Sequence, residues 1–187
     1  MDILIIFAHP WKHSFNATIL NHIEQRLKQN GTSYRVVDLY KDQFNPVLEE
    51  TDLSTFSKGL YQDPLAEKYA RYLKEAKEVI FIYPIWWYGP PAIIKGFFDK
   101  VFLKNHIYSQ ENRGPMKGLL NLDKTIMITT ANMSEEDFAD IGDPIRKVYL
   151  ESIMGLMGSK EQEWIHCSKV HEDSCREALL QKIDSIL

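Results

Sequence analysis

Three short stretches of this chain carry the side chains best suited to chemistry. "HPWKHS" (9–14) gathers His9, Lys12, His13 and Ser14. Ser14 is a good helix N-cap, and the free N–H groups of a helix start favour an anion such as a phosphate. The histidines and Lys12 would add donors or positive charge, although a plain capped helix with exposed histidines accounts for the same residues. "PIWWYGPP" (84–91) sets Trp86, Trp87 and Tyr88 side by side in a loop stiffened by prolines. Flat side chains beside main-chain polar groups suit a planar, largely apolar ring with polar edges. The competing reading is that the tryptophans plug the sheet end or fill a subunit contact. "TTANMSEEDFADIG" (129–142) brings the hydroxyls of Thr129 and Thr130, followed by Ala131 and Asn132, to a strand end. These groups suit the heteroatom edge of such a ring. Glu135, Glu136 and Asp137 read as a solvated helix start rather than a catalytic carboxylate pair, and His166 as a satisfied structural histidine.

Other chemistries lack their signatures. The chain has no G-x-G-x-x-G dinucleotide fingerprint and no G-x-x-x-x-G-K-[ST] phosphate loop. No Ser-His-Asp set or metal-spaced His/Cys cluster stands out, and Cys167 and Cys175 form neither a metal pattern nor a disulfide framework.

The elements that must position these loops are legible from periodicity. "DILIIFA" (2–8) and "EVIFIY" (78–83) are almost continuous apolar runs, as strands buried on both faces should be. "SYRVVDL" (33–39), "KTIMITT" (124–130) and "EQEWIHC" (161–167) complete a set of five strands. Between them, helical spacing runs from Ser14 to Asn30-Gly31, over 64–77, beyond Pro90-Pro91 to Phe102, over 144–157 and over 172–187. Strands alternating with helices predict a parallel sheet covered on both faces. The number of strands matches the flavodoxin-like doubly wound α/β order 2-1-3-4-5. In such a sheet, ligands bind outside the carboxyl ends of the strands, near the switch in strand order. The three loops above occupy that edge.

A length of 187 residues suits one domain, 1–187, with no linker or repeat in it. Net charge is −4 with scattered basic residues, which argues against nucleic acid as a partner. No apolar run approaches the roughly 20 residues of a membrane span. With no signal-peptide pattern and only Cys167 and Cys175 as cysteines, a reducing cytoplasm is the simplest expectation.

Taken in order, "AHP" with "SFN" (His9, Ser14 to Asn16), "DLY" with "FNP" (Asp38 to Tyr40, Phe44 to Pro46), "YPIWWYGPPAIIKGFFDKVF" (83–102), "RGP" (113–115) and "TT" (129–130) resemble the NAD(P)H:quinone oxidoreductases. The match runs from the first strand to about residue 130, and its central block is the specific part. The resemblance implies a flavodoxin-like enzyme with a tightly bound flavin. Pro84, Ile85, Trp86, Trp87 and Tyr88 would line the flavin ring. His9, Ser14, Phe15 and Asn16 would hold its phosphate and ribityl parts, and Thr129 and Thr130 its other edge, with Ala131 and Asn132 next to them.

This chain departs from that pattern after Thr130. Many members carry a glycine pair there, then a Tyr and a His that assist hydride transfer. Here Ala131, Asn132 and Met133 follow, with no Tyr or His before residue 149. The bacterial drug-activity modulator quinone reductases are similar at this point, and Asn132 becomes the one weak catalytic candidate. Asp173 and Arg176 resemble an acidic-x-x-Arg pair near the adenine of FAD-binding relatives; an i, i+3 ion pair on a surface helix explains them equally. The expectation is therefore a homodimeric flavoprotein, FAD favoured over FMN, that uses NADH or NADPH to reduce quinone-like acceptors. The alternative is a flavodoxin-type electron carrier, or an accessory flavoprotein of a potassium-efflux transporter.

Overall fold

β1 (Ile3–Phe7) alternates its side chains between two cores. Ile3, Ile5 and Phe7 join Ile19, Ile23, Leu27, Leu179 and Ile183 on one face of the sheet, while Leu4 and Ile6 join Tyr69, Phe81, Phe97 and Trp164 on the other. A strand with both faces buried must be apolar throughout, which is why "ILIIF" has no polar residue. The computed structural model describes residues 1–112 and 114–187; Arg113 of the "RGP" stretch lies outside the described residues.

β1, β2 (Tyr34–Asp38), β3 (Glu78–Pro84), β6 (Leu122–Thr130) and β7 (Ser159–Cys167) form a five-stranded sheet in the order β2-β1-β3-β6-β7, every pair parallel. Numbered among themselves, these strands run 2-1-3-4-5, the order expected from the sequence. The connecting helices are α1 (Phe15–Gln29), α2 (Glu50–Phe56), α3 (Pro64–Glu75), α4 (Ala92–Val101), α5 (Glu135–Asp140), a π-helix (Ile145–Gly155) and α6 (Asp173–Asp184). α1 and α6 cover one face, and α3, α4 and the π-helix cover the other.

Local chemistry explains the helix starts. Ser14 Oγ accepts from Ala17 N at 3.2 Å and caps α1. Asp63 Oδ1 caps α3 through Leu65 N at 2.9 Å, with Pro64 as its first residue. Ser134 and Asp137 close a capping box on α5, so the acidic run 135–137 is a helix start facing solvent. α4 passes so close to the chain at Pro46 that a Cβ at Gly96 would sit 2.2 Å from the Pro46 carbonyl oxygen.

The periodic reading does not anticipate two features. α2 buries no side chain and so leaves no apolar stripe. The antiparallel pair β4 (Tyr108–Ser109) and β5 (Lys117–Gly118) is too short to show alternation. The helix predicted over 144–157 is present as Ile145–Gly155, with π rather than α hydrogen bonding.

Candidate functional site

At the carboxyl ends of β1, β3 and β6 lies a cleft of about 330 Å³. The sequence-derived residues His9, Ser14, Phe15, Asn16, Pro84, Ile85, Trp86, Thr130, Ala131 and Asn132 form most of its wall. Register explains the convergence: β3 and β6 pair up to Pro84 opposite Thr130, so the two strands end level with one another. Beyond them, Ile85 N donates to Thr130 O at 2.9 Å and extends the floor.

Each end of the cleft has its own chemistry. At one end stands the start of α1. The first N–H groups of a helix have no intrahelical acceptor, and Phe15 and Asn16 occupy those positions. His9 sits beside them, its ring 6.2 Å from that of Trp86 in an edge arrangement. His9 Nδ1 accepts from Trp11 N at 3.1 Å, so the neutral ring carries its hydrogen on Nε2. Burial lowers its pKa below the ordinary histidine value. At the centre is an unsatisfied donor. Thr130 Oγ1 donates to Asn16 Oδ1 at 2.8 Å, and Asn16 Nδ2, wholly buried, has no partner. A buried amide N–H left open at a cleft wall is costly unless a ligand oxygen or nitrogen takes it.

Three sequence-derived residues lie outside this wall. Thr129 points to the opposite sheet face from Thr130, where its hydroxyl contacts Trp164 Nε1 at 2.7 Å and His166 Nδ1 at 2.8 Å. Its hydroxyl is therefore spent within the protein. Trp87 and Tyr88 are the central residues of a tight turn in which Trp86 and Gly89 exchange both backbone hydrogen bonds, 3.0 and 3.2 Å. Their φ values are 51° and 66°, as a type I′ turn requires. Bulky residues rarely tolerate positive φ, so the turn holds strain of order 1–3 kcal/mol per residue. It leaves Trp87 96% exposed, while Tyr88 rests edge-on against Phe138, 6.3 Å between ring centres.

Sequence reasoning did not single out two further wall residues, Trp11 and Val170. Arg176 also reaches the cleft: its guanidinium stands 5.4 Å from the centre of the Phe15 ring, and its Nε donates to Val170 O at 2.6 Å. The Asp173 pair is present as well, at 3.3 Å with Asp173 almost fully exposed, so a surface ion pair and a cleft residue are both true of Arg176. Asn132 is exposed at the rim, its Oδ1 3.2 Å from His171 Nδ1. Elsewhere, burial pushes the Cys167 thiol up to about 11, so it carries no thiolate at neutral pH. Among the described residues, no His/Cys/Asp/Glu cluster could hold a metal, and no helix is long and apolar enough to cross a membrane.

The residues present fit a flavin. They offer helix-start donors with His9 and Arg176 for phosphate, a flat Pro84–Trp86 wall for a ring, and the open Asn16 donor. Comparison with known proteins points the same way. A family model described as a flavodoxin-like fold matches residues 1–187. An uncharacterized NAD(P)H oxidoreductase of Haemophilus influenzae is 29% identical over 97% of this chain and 91% of its own length. Among solved structures, Smu.1420 of Streptococcus mutans has a TM-score of 0.83 at 31% identity, covering 100% of this chain and 98% of its own. An NAD(P)H:quinone oxidoreductase of Methanothermobacter marburgensis has a TM-score of 0.83 at 28% identity, covering 97% and 94%.

Proposed function

The chain belongs to the family of flavodoxin-like folds that its whole length matches, and from that premise and the cleft we infer a flavin-dependent NAD(P)H oxidoreductase that reduces quinones and similar flat acceptors by two electrons. The observation that carries this reading is the buried, unpartnered Asn16 Nδ2 in a cleft walled by Pro84, Ile85 and Trp86. The similar Methanothermobacter enzyme supports the choice of acceptor.

A bound flavin supplies the hydride chemistry, and the chain supplies position and electrostatics. The Phe15 and Asn16 N–H groups, with neutral His9 as a donor, would hold the phosphate end. Asn16 Nδ2 and the main chain of Ala131 and Asn132 would hold the polar parts nearer the ring. Trp86 would present a flat face to it. Arg176, over Phe15 and beside the phosphate end, favours FAD over FMN. Asn132, at the rim, is the side chain placed to meet an acceptor. The protein works as a homodimer in the cytoplasm, with NADH or NADPH as reductant. The exposed Trp87, Trp86 and Tyr88 supply the apolar surface for a two-fold contact, where Trp87 of each copy would roof a cleft.

Anaerobic titration of the flavin-loaded protein tests the activity: NADH or NADPH should bleach the visible flavin bands, and a quinone should restore them. Bleaching that only a one-electron donor achieves, with an accumulating radical band, would favour the electron-carrier alternative. Trp87→Ala should weaken flavin retention roughly tenfold or more, the scale of about 1.4 kcal/mol or beyond, and shift sedimentation toward the monomer. Unchanged retention and unchanged dimerisation would assign Trp87 no part in either.

A further inference from the structure

Behind the cleft wall a chain of hydrogen bonds has only one consistent polarity. Trp164 Nε1 is a donor only, so Thr129 Oγ1 accepts from it at 2.7 Å. At the far end, the Met133 carbonyl is an acceptor only, so His166 Nε2 must carry a hydrogen to reach it at 2.8 Å. In the neutral ring Nδ1 is then bare, and the remaining Thr129 hydroxyl hydrogen donates to it at 2.8 Å. The other neutral tautomer would set Nε2 against a carbonyl oxygen and leave the Thr129 hydrogen without a partner. Thr129 and Trp164 are both buried, so no water replaces a missing bond at that end.

Met133 directly follows Ala131 and Asn132, which wall the cleft. Ala131 N donates to Cys167 O at 3.0 Å and Val170 N to Ala131 O at 3.1 Å. Past those two bonds, the His166–Met133 contact is what ties the segment to β7 before α5 begins. We propose that His166 is a positioning residue: its Nε2–H, fixed in direction through Thr129 by Trp164, holds Met133 and so sets the 131–132 wall of the cleft. This rests on reading the cleft as the flavin site.

A second proton, at Nδ1, leaves the Nε2–H bond to Met133 in place, but Thr129 must then accept from the ring and give up its own donation. The charged groups around the ring do not compensate. Glu135 of α5 favours the proton, but Arg146 of the π-helix pairs with Glu135 and with Asp143, and lies 4.8 Å from the centre of the Trp164 ring. From α6, Lys182 lines the same small cleft as His166, beside Cys167 and Cys175. Consistently, burial lowers the His166 pKa below the ordinary value despite its hydrogen bonds and Glu135. A histidine with a depressed folded pKa is neutral above the unfolded value. The stability that the neutral ring contributes is then complete above the unfolded pKa and lost as pH falls through the folded one, while Nε2–H still donates to Met133.

Two measurements test this. Nitrogen NMR of the histidine rings needs no flavin, and it should show His166 as the Nε2–H tautomer with a pKa below that of a free histidine. Dissociation constants for added FAD or FMN should rise roughly tenfold when the hydrogen bond to Met133 is removed, the scale of about 1.4 kcal/mol. His166→Gln offers one acceptor and one donor without titrating. Its amide N–H can replace Nε2–H toward Met133, so it should keep the wild-type affinity at neutral pH. His166→Phe, of similar shape but without hydrogen bonds, should bind weakly throughout. An Nδ1–H tautomer, or a His166→Phe protein that binds flavin as tightly as wild type, would overturn the proposal. Wild-type protein that takes up no flavin at any pH would overturn the cleft reading instead, while the NMR result would still decide the tautomer.

Discussion

Phe97→Ala should lower the unfolding free energy by about 3–5 kcal/mol. Phe97 is fully buried, and its ring lies within 6.4 Å of those of Phe44, Tyr69, Phe81, Phe98 and Phe102. It joins α4 to β3, α3 and the loop after β2. These elements are rigid at that point, with Gly96 already against Pro46, so the void has little chance to collapse. Urea unfolding of the flavin-free protein checks it. A loss under about 1 kcal/mol would mean that the aromatic cluster relaxes into the space.

The second large effect concerns a buried charge that the sequence reading passed over. Lys100 on α4 has a side chain only 4% exposed, yet it sits inside a ring of acceptors. Its Nζ lies 2.8 Å from Asp63, 3.6 Å from Asp52 and 3.2 Å from the Asn45 carbonyl. One ammonium thereby ties α4 to α2, to the start of α3 and to the 44–49 segment. Lys100→Met keeps the apolar stem but leaves two partly buried carboxylates facing each other, a loss of about 3–5 kcal/mol. Combining it with Asp52→Leu and Asp63→Asn removes the stranded charges while an asparagine still caps α3, and most of the loss should return. If the triple variant is no more stable than Lys100→Met alone, the ion pairs are not what holds α2 in place.

Lys100 also marks where sequence reading stops. Lysine in an amphipathic helix normally faces water, and only the fold reveals Asp52 and Asp63 closing around it. Apolar periodicity exposed the strands and long helices because burial forces that periodicity on them. α2 escaped because all its side chains reach solvent, and β4–β5 because two residues cannot alternate. Within the site, residue type identified the three loops but not the direction of each side chain. Thr129 and Thr130 are indistinguishable by type, yet strand alternation sends one to His166 and the other to Asn16. Likewise Trp86 faces the cleft while the neighbouring Trp87 stands in solvent, a division set by the positive φ values of the turn. The open donor on Asn16 is a tertiary fact, since it exists only because Thr130 occupies the other half of that amide.

The cleft at Asn16 is the central claim, and flavin uptake tests it most directly. Purified protein, mixed with excess FAD and separately with excess FMN and then desalted, should stay yellow with stoichiometric flavin, FAD being retained better than FMN. Asn16→Leu should lower that retention without loss of fold by circular dichroism. Colourless protein after desalting from both flavins, with the fold intact, would contradict the assignment of this cleft.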